Sequence, residues 1–94
     1  MRHLGDTLLK LIEECSEVQQ AVCKLMAFGP ESRWPDDNAP SNLEHLSLEI
    51  GDLLAVIDVL RDETTLGLSK AEIDTAKINK MKKLEIYLPH LDVE

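Results

Sequence analysis

Two pairs of acidic residues have a spacing that could do chemistry: Glu14 with Glu17, and Glu49 with Asp52. Residues three apart are neighbours on one face of an α-helix, so each pair would present two carboxylates side by side. An ionised carboxylate beside an apolar surface needs a positive partner, because burying one alone costs several kcal/mol. The two pairs therefore predict either ion pairs with lysines or a binding site for a cation.

The second pair lies in the most apolar stretch of the chain, residues 46–60. On a helix with about 100° per residue, the apolar side chains of this stretch cover well over half of the circumference, and Glu49 and Asp52 lie between two apolar arcs. A helix of this kind is usually buried. We therefore expect it to be central, and we expect the chain to self-associate because three helices are too few to cover it.

The first pair lies on a helix that the pattern predicts from Thr7 to Ala27, with Asp6 as its N-cap. Glu14 falls within the edge of the apolar face of this helix, and Glu17 falls at its border. A shift of 35 positions lays this helix over the next one, so that the two acid pairs coincide. If the two helices lie antiparallel, four carboxylates meet near their middle.

The rest of the chain predicts a loop and two further helices. Residues 29–42 contain three prolines and no periodicity, which is typical of a long loop. Capping-box sequences mark the starts of the next two helices, Ser41 with Glu44 and Ser69 with Glu72. We expect these helices to end near Glu63 and Leu88. The sequence therefore predicts an all-α, single-domain chain over residues 1–94, with three helices and a long loop between the first two.

The composition argues against several classes of partner. The chain has 94 residues and a formal net charge of −8, which disfavours nucleic acid and anionic membranes as the main partner. Its apolar runs are too short to span a bilayer, and no signal-peptide pattern precedes the first helix. Cys15 and Cys23 would lie about 12 Å apart along one helix, too far for a disulfide. We expect both to be buried thiols in a cytoplasmic protein.

Four converging carboxylates repel one another unless protons or cations neutralise them. Ligation by oxygen alone suits Mg²⁺ or Mn²⁺, and Mg²⁺ commonly completes its coordination with substrate phosphates. Lys77 and Lys80 lie inside the narrow apolar stripe of the third helix. Either their stems pack while the ammonium groups reach solvent, or they point toward an anion held at the acids.

The acid pairs belong to a motif that resembles a known family. The sequence EECSE at residues 13–17, followed by EIGD at 49–52, resembles the EExxE…ExxD signature of the MazG-like nucleotide pyrophosphohydrolases, in the all-α NTP pyrophosphatase superfamily. The resemblance covers the first two helices and, more loosely, the third. It implies hydrolysis of (d)NTPs to the monophosphate and pyrophosphate, by a homodimer or homotetramer that forms an oligomeric helical bundle.

The resemblance also implies roles for particular residues. Four acids would be the catalytic residues and the ligands of Mg²⁺, for which Mn²⁺ could substitute: Glu14, Glu17, Glu49 and Asp52. The implied phosphate contacts are Lys77, Lys80 and Lys24. Trp34, in the loop, would either stack on a base or anchor the loop by packing.

Two alternatives compete with this interpretation. The acids could form ion pairs with lysines such as Lys10 in a non-catalytic helical dimerisation module. A di-iron carboxylate bundle would need Glu-x-x-His pairs, which neither acid motif supplies. His45 lies four residues before Glu49, and we interpret it as a helix-surface residue or as one that supports a ligand.

Overall fold

The computed structural model describes residues 4–63 and 65–90, and within these ranges the protein is all-helical. The elements are α1 (Leu4–Phe28), α2 (Asn42–Arg61), α3 (Lys70–Tyr87) and a 3-10 turn (Leu88–His90). These ranges contain no strand, and an isolated bridge pairs Arg33 with Ser41. The predicted all-α class with three helices is confirmed. None of the described helices is both long and apolar enough to cross a membrane.

The start of α1 differs from the prediction. Asp6 lies within its first turn, so the interpretation of Asp6 as the N-cap is wrong. An acidic side chain anywhere in the first turn faces the positive end of the helix dipole, which lets the helix continue past Asp6 toward the N-terminus. α2 ends at Arg61 with Asp62 as its C-cap, close to the predicted end near Glu63.

Both predicted cap serines lie at helix starts. Ser41 Oγ accepts a hydrogen bond from the Glu44 amide at 3.1 Å, and the Ser41 amide donates to Glu44 Oε1 at 3.2 Å. Ser69 Oγ likewise accepts from the Glu72 amide at 3.1 Å. These contacts satisfy amides that the first helical turn leaves without partners, so the starts of α2 and α3 follow from the local sequence.

α1 and α2 pack antiparallel along one seam. At one end, the Asn42 side chain donates to the carbonyls of Gly29 (3.0 Å) and Lys24 (3.4 Å); at the other end, Thr7 and Val56 line a common cavity. Buried and half-buried positions recur at alternating spacings of four and three on both helices, as in a two-helix seam. They are Thr7, Leu11, Glu14, Val18, Ala21 and Leu25 of α1, and Asn42, Leu46, Glu49, Leu53, Val56 and Leu60 of α2. The shift of 35 positions therefore superimposes the seam positions of α1 on those of α2, although in the antiparallel pair Asn42 lies beside Lys24 and Thr7 lies beside Val56.

The seam divides the helix pair into two sides. Residues that follow a seam position point to the same side on both helices, because chain direction and sense of rotation reverse together. This side, the open apolar face, carries Leu8, Ile12, Cys15, Val22 and Met26 of α1 and Leu43, Ile50 and Leu54 of α2, all exposed. The opposite side, the polar face, carries Lys10, Glu17 and Lys24 of α1 and His45 and Asp52 of α2.

α3 does not pack along the α1–α2 pair. Two ion pairs tie it to the end of α2, Arg61 with Asp74 (3.2 Å) and Lys70 with Asp62 (3.1 Å). The principal extents are 44 × 40 × 15 Å and the radius of gyration is 16.5 Å, whereas a compact chain of this length has about 12 Å. The protein is a single layer of helices, and one layer cannot enclose a core.

Most apolar side chains of this layer are accessible. Among the described residues, Ala21 and Leu60 are the buried apolar ones. The expectation that α2 is buried is therefore wrong for the single chain, in which Leu54 is 54% exposed. Cys15 and Cys23 are free and exposed rather than buried as predicted, because α2 covers only the seam side of α1.

Candidate functional site

Three of the four predicted acids meet at the middle of the helix pair. Glu14, Glu17 and Glu49 each offer a carboxylate oxygen, and these oxygens all lie within 4.8 Å of one another. Glu14 is buried at 5% exposure, Glu49 is half-buried and Glu17 is exposed. We call these three residues the acid cluster. Asp52 is exposed on the polar face, one turn beyond Glu49; it is not part of the cluster, and its role stays a prediction.

The heptad register explains why the acids meet. Glu14 and Glu49 occupy seam positions, where other two-helix seams carry apolar residues, so packing of α1 against α2 forces both carboxylates inward. Glu17 lies on the polar face one turn after Glu14, which places it at the solvent edge of the cluster. The cluster therefore has a buried part and an accessible part, as a binding site requires.

Two basic side chains contact the cluster, each one turn before a seam acid. Lys10 Nζ lies 3.8 Å from Glu14 Oε1, although it is closer to Glu13 Oε2 at 3.2 Å. His45 Nε2 lies 3.0 Å from Glu49 Oε1. These contacts engage one oxygen of each seam acid. The predicted ion pair with Lys10 thus exists. Together, the Lys10 and His45 contacts leave the second oxygen of Glu14 and of Glu49 without a basic partner.

The remaining oxygens of the seam acids carry the chemical signal of the site. Glu14 Oε2 and Glu49 Oε2 are buried and have no hydrogen-bond partner among the described residues. A buried, unsatisfied carboxylate oxygen is costly. Two seam acids with such oxygens, together with the third carboxylate of the cluster, match the ligand chemistry of a hard divalent cation, which prefers oxygen ligands. The residues present therefore fit Mg²⁺ or Mn²⁺.

Protons compete with a cation for the cluster. The pKa of Glu17 is raised above its ordinary value, first because a protonated Glu17 carboxyl can donate a hydrogen bond to Glu49 and then because the charge of Glu14 lies nearby; Lys10 acts in the opposite direction. A carboxylate must lose its proton to ligate a metal, so metal binding would release this proton. The pKa of Lys10 is also raised above its ordinary value, first by its hydrogen bond with Glu13 and then by the charges of Glu13 and Glu14.

A cavity of about 590 Å³ opens where α1 ends and α2 begins, and His45, which contacts Glu49 of the acid cluster, is part of its lining. Its lining includes Lys24 and Trp34, two of the predicted substrate contacts, together with Phe28, Arg33 and His45. Trp34 and Phe28 are 82% and 71% exposed, so both rings are accessible. The volume is within the range of small-molecule sites. The Trp34 side chain is thus not an anchor buried in the protein.

Sequence reasoning missed the contributions of Phe28 and Arg33 to this cavity. Arg33 Nη1 donates to the Ala39 carbonyl at 2.7 Å, and Arg33 Nη2 lies 3.0 Å from Glu44 Oε1. Arg33 therefore fastens the segment between the helices to the start of α2. Its position next to Trp34 was the available signal, but a guanidinium with a partner 11 residues away is not readable from local sequence.

Lys77 and Lys80 are exposed on α3. Because α3 does not pack along the α1–α2 pair, the structure does not bring these lysines to the acid cluster of the same chain. Their contact with phosphate stays a prediction.

Comparison of the chain with protein-family models, with curated proteins and with solved structures finds no match. The resemblance of the acid motif to the family therefore depends on the motif residues themselves.

Proposed function

We propose that the protein is a Mg²⁺-dependent nucleoside triphosphate pyrophosphohydrolase that converts a (d)NTP and water to the (d)NMP and pyrophosphate. The observation that supports this most directly is the convergence of Glu14, Glu17 and Glu49 with two buried oxygens that lack donors. A purely structural acid cluster would be expected to find lysine or arginine partners for those oxygens. Mn²⁺ would be a possible substitute for Mg²⁺.

The proposed role of each acid follows from how deeply its side chain is buried. When bound, Mg²⁺ would neutralise phosphate charge and lower the pKa of a water molecule. Glu14 and Glu49 would hold the ion through their inward oxygens, and Asp52 would extend the acidic surface along α2. Glu17, at the accessible edge and with a raised pKa, is suited to take a proton from the attacking water. The water oxygen would bond to phosphorus as the bond to the pyrophosphate leaving group breaks.

The cavity is the proposed binding site for the rest of the substrate. Lys24 lies seven residues after Glu17 on the same face of α1, about 10 Å along the helix. A triphosphate that reaches the acid cluster would therefore leave its base near Trp34, where an accessible ring can stack. Lys24 would contact phosphate between the two ends. Lys77 and Lys80 would do so only if an α3 helix lies over the polar face in the assembled protein.

We also propose that the active form is a homo-oligomer, a homodimer or a homotetramer. The open apolar face has no charged residue among its exposed positions, and a single layer of helices needs a second layer to exclude water from it. Because α1 and α2 carry the same heptad register, this face is similar along both helices and suits a copy turned about a two-fold axis. The pairing would complete a four-helix bundle and leave each polar face accessible.

The test is pyrophosphate release from a panel of NTPs and dNTPs with millimolar Mg²⁺, for the wild type and for Glu49→Ala. We expect release by the wild type and its loss in the variant. Full activity of Glu49→Ala would contradict the site. If the whole panel is silent and Mg²⁺ does not raise the melting temperature, the protein is a non-catalytic helical dimerisation module instead.

A further inference from the structure

We propose that His45 is a positioning residue that fixes the Glu49 carboxylate, so that one oxygen of Glu49 is held and the other faces the acid cluster. The inference builds on the proposed function, because it concerns the same acids. It adds a residue outside the acid motif that sets the affinity of the cluster for a cation.

The two oxygens of Glu49 have different surroundings. Oε1 lies 3.0 Å from His45 Nε2, whereas Oε2 is buried and has no hydrogen-bond partner among the residues described. A carboxylate held at one oxygen can no longer rotate freely about its last torsion angle. Glu14, Glu17 and Glu49 each have a carboxylate oxygen within 4.8 Å of the other two, so a contact that holds Oε1 leaves Oε2 as the Glu49 oxygen that can serve the acid cluster.

His45 is itself held in place. Its amide donates to the Ser41 carbonyl at 2.8 Å, in the turn that the capping box of Ser41 and Glu44 closes. Its side chain is 35% exposed, and that of Glu49 is 14% exposed. A hydrogen bond between groups that are partly shielded from water defines an orientation better than a contact on the open surface. For Nε2 to donate, the neutral ring carries its proton on Nε2.

The contact of Lys10 with Glu14 on α1 is equivalent in sequence spacing to that of His45 with Glu49, but it does not fix a carboxylate. Lys10 precedes Glu14 by four residues, as His45 precedes Glu49, and the two lie at equivalent positions of the seam register. Lys10 Nζ is 3.8 Å from Glu14, shares its charge with Glu13 at 3.2 Å and is 57% exposed. Lys10 therefore supplies charge, and His45 supplies a directed hydrogen bond.

This difference gives opposite predictions for cation affinity. A positioning residue raises the affinity, since partners that hydrogen-bond to metal ligands typically contribute tenfold or more. A competing positive charge lowers it. Removing His45 should therefore weaken Mg²⁺ binding, whereas removing the charge of Lys10 should leave it unchanged or strengthen it.

The experiment is a Mg²⁺ titration of the melting temperature, with MgCl₂ as the only ligand, for the wild type, His45→Ala, His45→Gln and the matched control Lys10→Gln. We expect His45→Ala to raise the Mg²⁺ concentration at half-maximal stabilisation by about tenfold. His45→Gln should recover most of the affinity because its amide can donate to Glu49. Lys10→Gln should bind Mg²⁺ at least as tightly as the wild type.

Wild-type affinity in His45→Ala, or tighter binding, would overturn the inference, because His45 would then be a bystander or a competing charge. Far-UV circular dichroism of His45→Ala and His45→Gln in EDTA checks that both fold, and an alanine at this helix position favours folding. If His45→Ala binds Mg²⁺ more weakly but the wild type releases no pyrophosphate from any NTP or dNTP, the role of His45 is supported and the hydrolase function is rejected. Activity that Glu49→Ala loses and His45→Ala keeps, with Mg²⁺ affinity unchanged, would reject the role of His45 alone.

Discussion

The two faces of the α1–α2 pair differ in chemistry around the acid cluster, although only a few residues separate them in sequence. Ile12 lies on the open apolar face, and Glu14 lies two residues later in the seam, with Glu17 on the polar face. Each face is continuous across both helices because the two helices share one register. The pair thus keeps a polar, charged site on one side and a surface suited to association on the other.

The comparison teaches that neither face is independent of the seam between them. Glu14 and Glu49 take positions that apolar side chains would otherwise fill, and Ala21 and Leu60 alone are buried apolar residues among those described. A seam this poor in apolar burial gives little stability by itself. We infer that a cation on the polar face and a second copy on the open apolar face both stabilise the helix pair.

The largest effect on activity should come from Glu14, the buried acid of the seam. Glu14→Gln removes a proposed ligand, so we expect kcat/KM for pyrophosphate release to fall at least about 100-fold. Melting temperature should change in the opposite sense without metal: in EDTA the variant should be more stable than the wild type, because one of three clustered charges is gone. Added Mg²⁺ should stabilise it little.

The matched control is Glu13→Gln, one residue away and with a side chain that is 49% exposed. It removes the same charge from the same helix turn and keeps all three carboxylates of the cluster. Because Lys10 loses its partner at 3.2 Å and can move toward Glu14, Mg²⁺ stabilisation and activity should fall a little, and far less than in Glu14→Gln. Equal losses in the two variants would mean that net charge, and not the buried carboxylate, matters.

The next effect should come from the open apolar face. Ile12 is 66% exposed in the single chain, and a two-fold interface would bury it once in each copy. Burying one such side chain is worth about 1.5–3 kcal/mol, so Ile12→Glu should weaken dimerisation about 100-fold or more. Size-exclusion chromatography with light scattering, over a range of protein concentrations, measures this directly.

Gln20→Glu is the control for that experiment, because Gln20 is exposed and directly precedes the seam position Ala21, which places it on the polar face of the same helix. It adds the same charge and should leave the oligomeric state unchanged. A wild type that is monomeric at every concentration would contradict the proposed interface, and so would an Ile12→Glu protein that associates as well as the wild type.

Features that depend on a few neighbouring residues were predictable from the sequence. The cap serines marked the starts of α2 and α3, with a complete capping box at α2 and the Ser69 half of one at α3, because serine, glutamate and the first-turn amides all lie within four residues. The inward direction of Glu14 and Glu49 followed from their positions relative to the apolar faces of the two helices. His45 was correctly connected with Glu49, since an i to i+4 contact needs only the helix.

Features that depend on distant contacts were not predictable. The apolar pattern of α2 indicated burial but could not indicate whether the same chain or another copy supplies the cover. The exposure of Cys15 was not predictable for the same reason. The positions of Lys77 and Lys80 were not predictable either, because nothing in the local sequence determines where α3 packs. The ion pair between Arg33 and Glu44 likewise depends on how the segment between the two residues folds.

The smallest effect should separate two carboxylates whose pKa values shift in opposite directions. The pKa of Glu44 is lowered, first by its hydrogen bonds with Ser41 and then by the charge of Arg33, whereas that of Glu17 is raised by Glu49 and Glu14. A lowered pKa stabilises the fold above the unfolded value, near pH 4, and this contribution is lost as pH falls through the folded value. A raised pKa does the reverse: its contribution is present at low pH and is lost as pH rises through the folded value.

In EDTA at pH 7, Glu44→Gln should therefore melt below the wild type and Glu17→Gln above it, each by about a few °C. The two substitutions remove the same charge, so net charge cannot produce opposite signs. The Glu17→Gln difference should shrink toward zero as the pH falls to about 4, because the Glu17 carboxyl is then protonated in both states. The Glu44→Gln difference should persist at pH 4 and be lost only at lower pH, as the pH falls through the lowered pKa of Glu44. Melting temperatures of the three proteins between about pH 2 and pH 7 measure this. Shifts of the same sign would mean that the acid cluster is not electrostatically strained in the absence of metal, and the polar face would then differ from the rest of the surface only in composition.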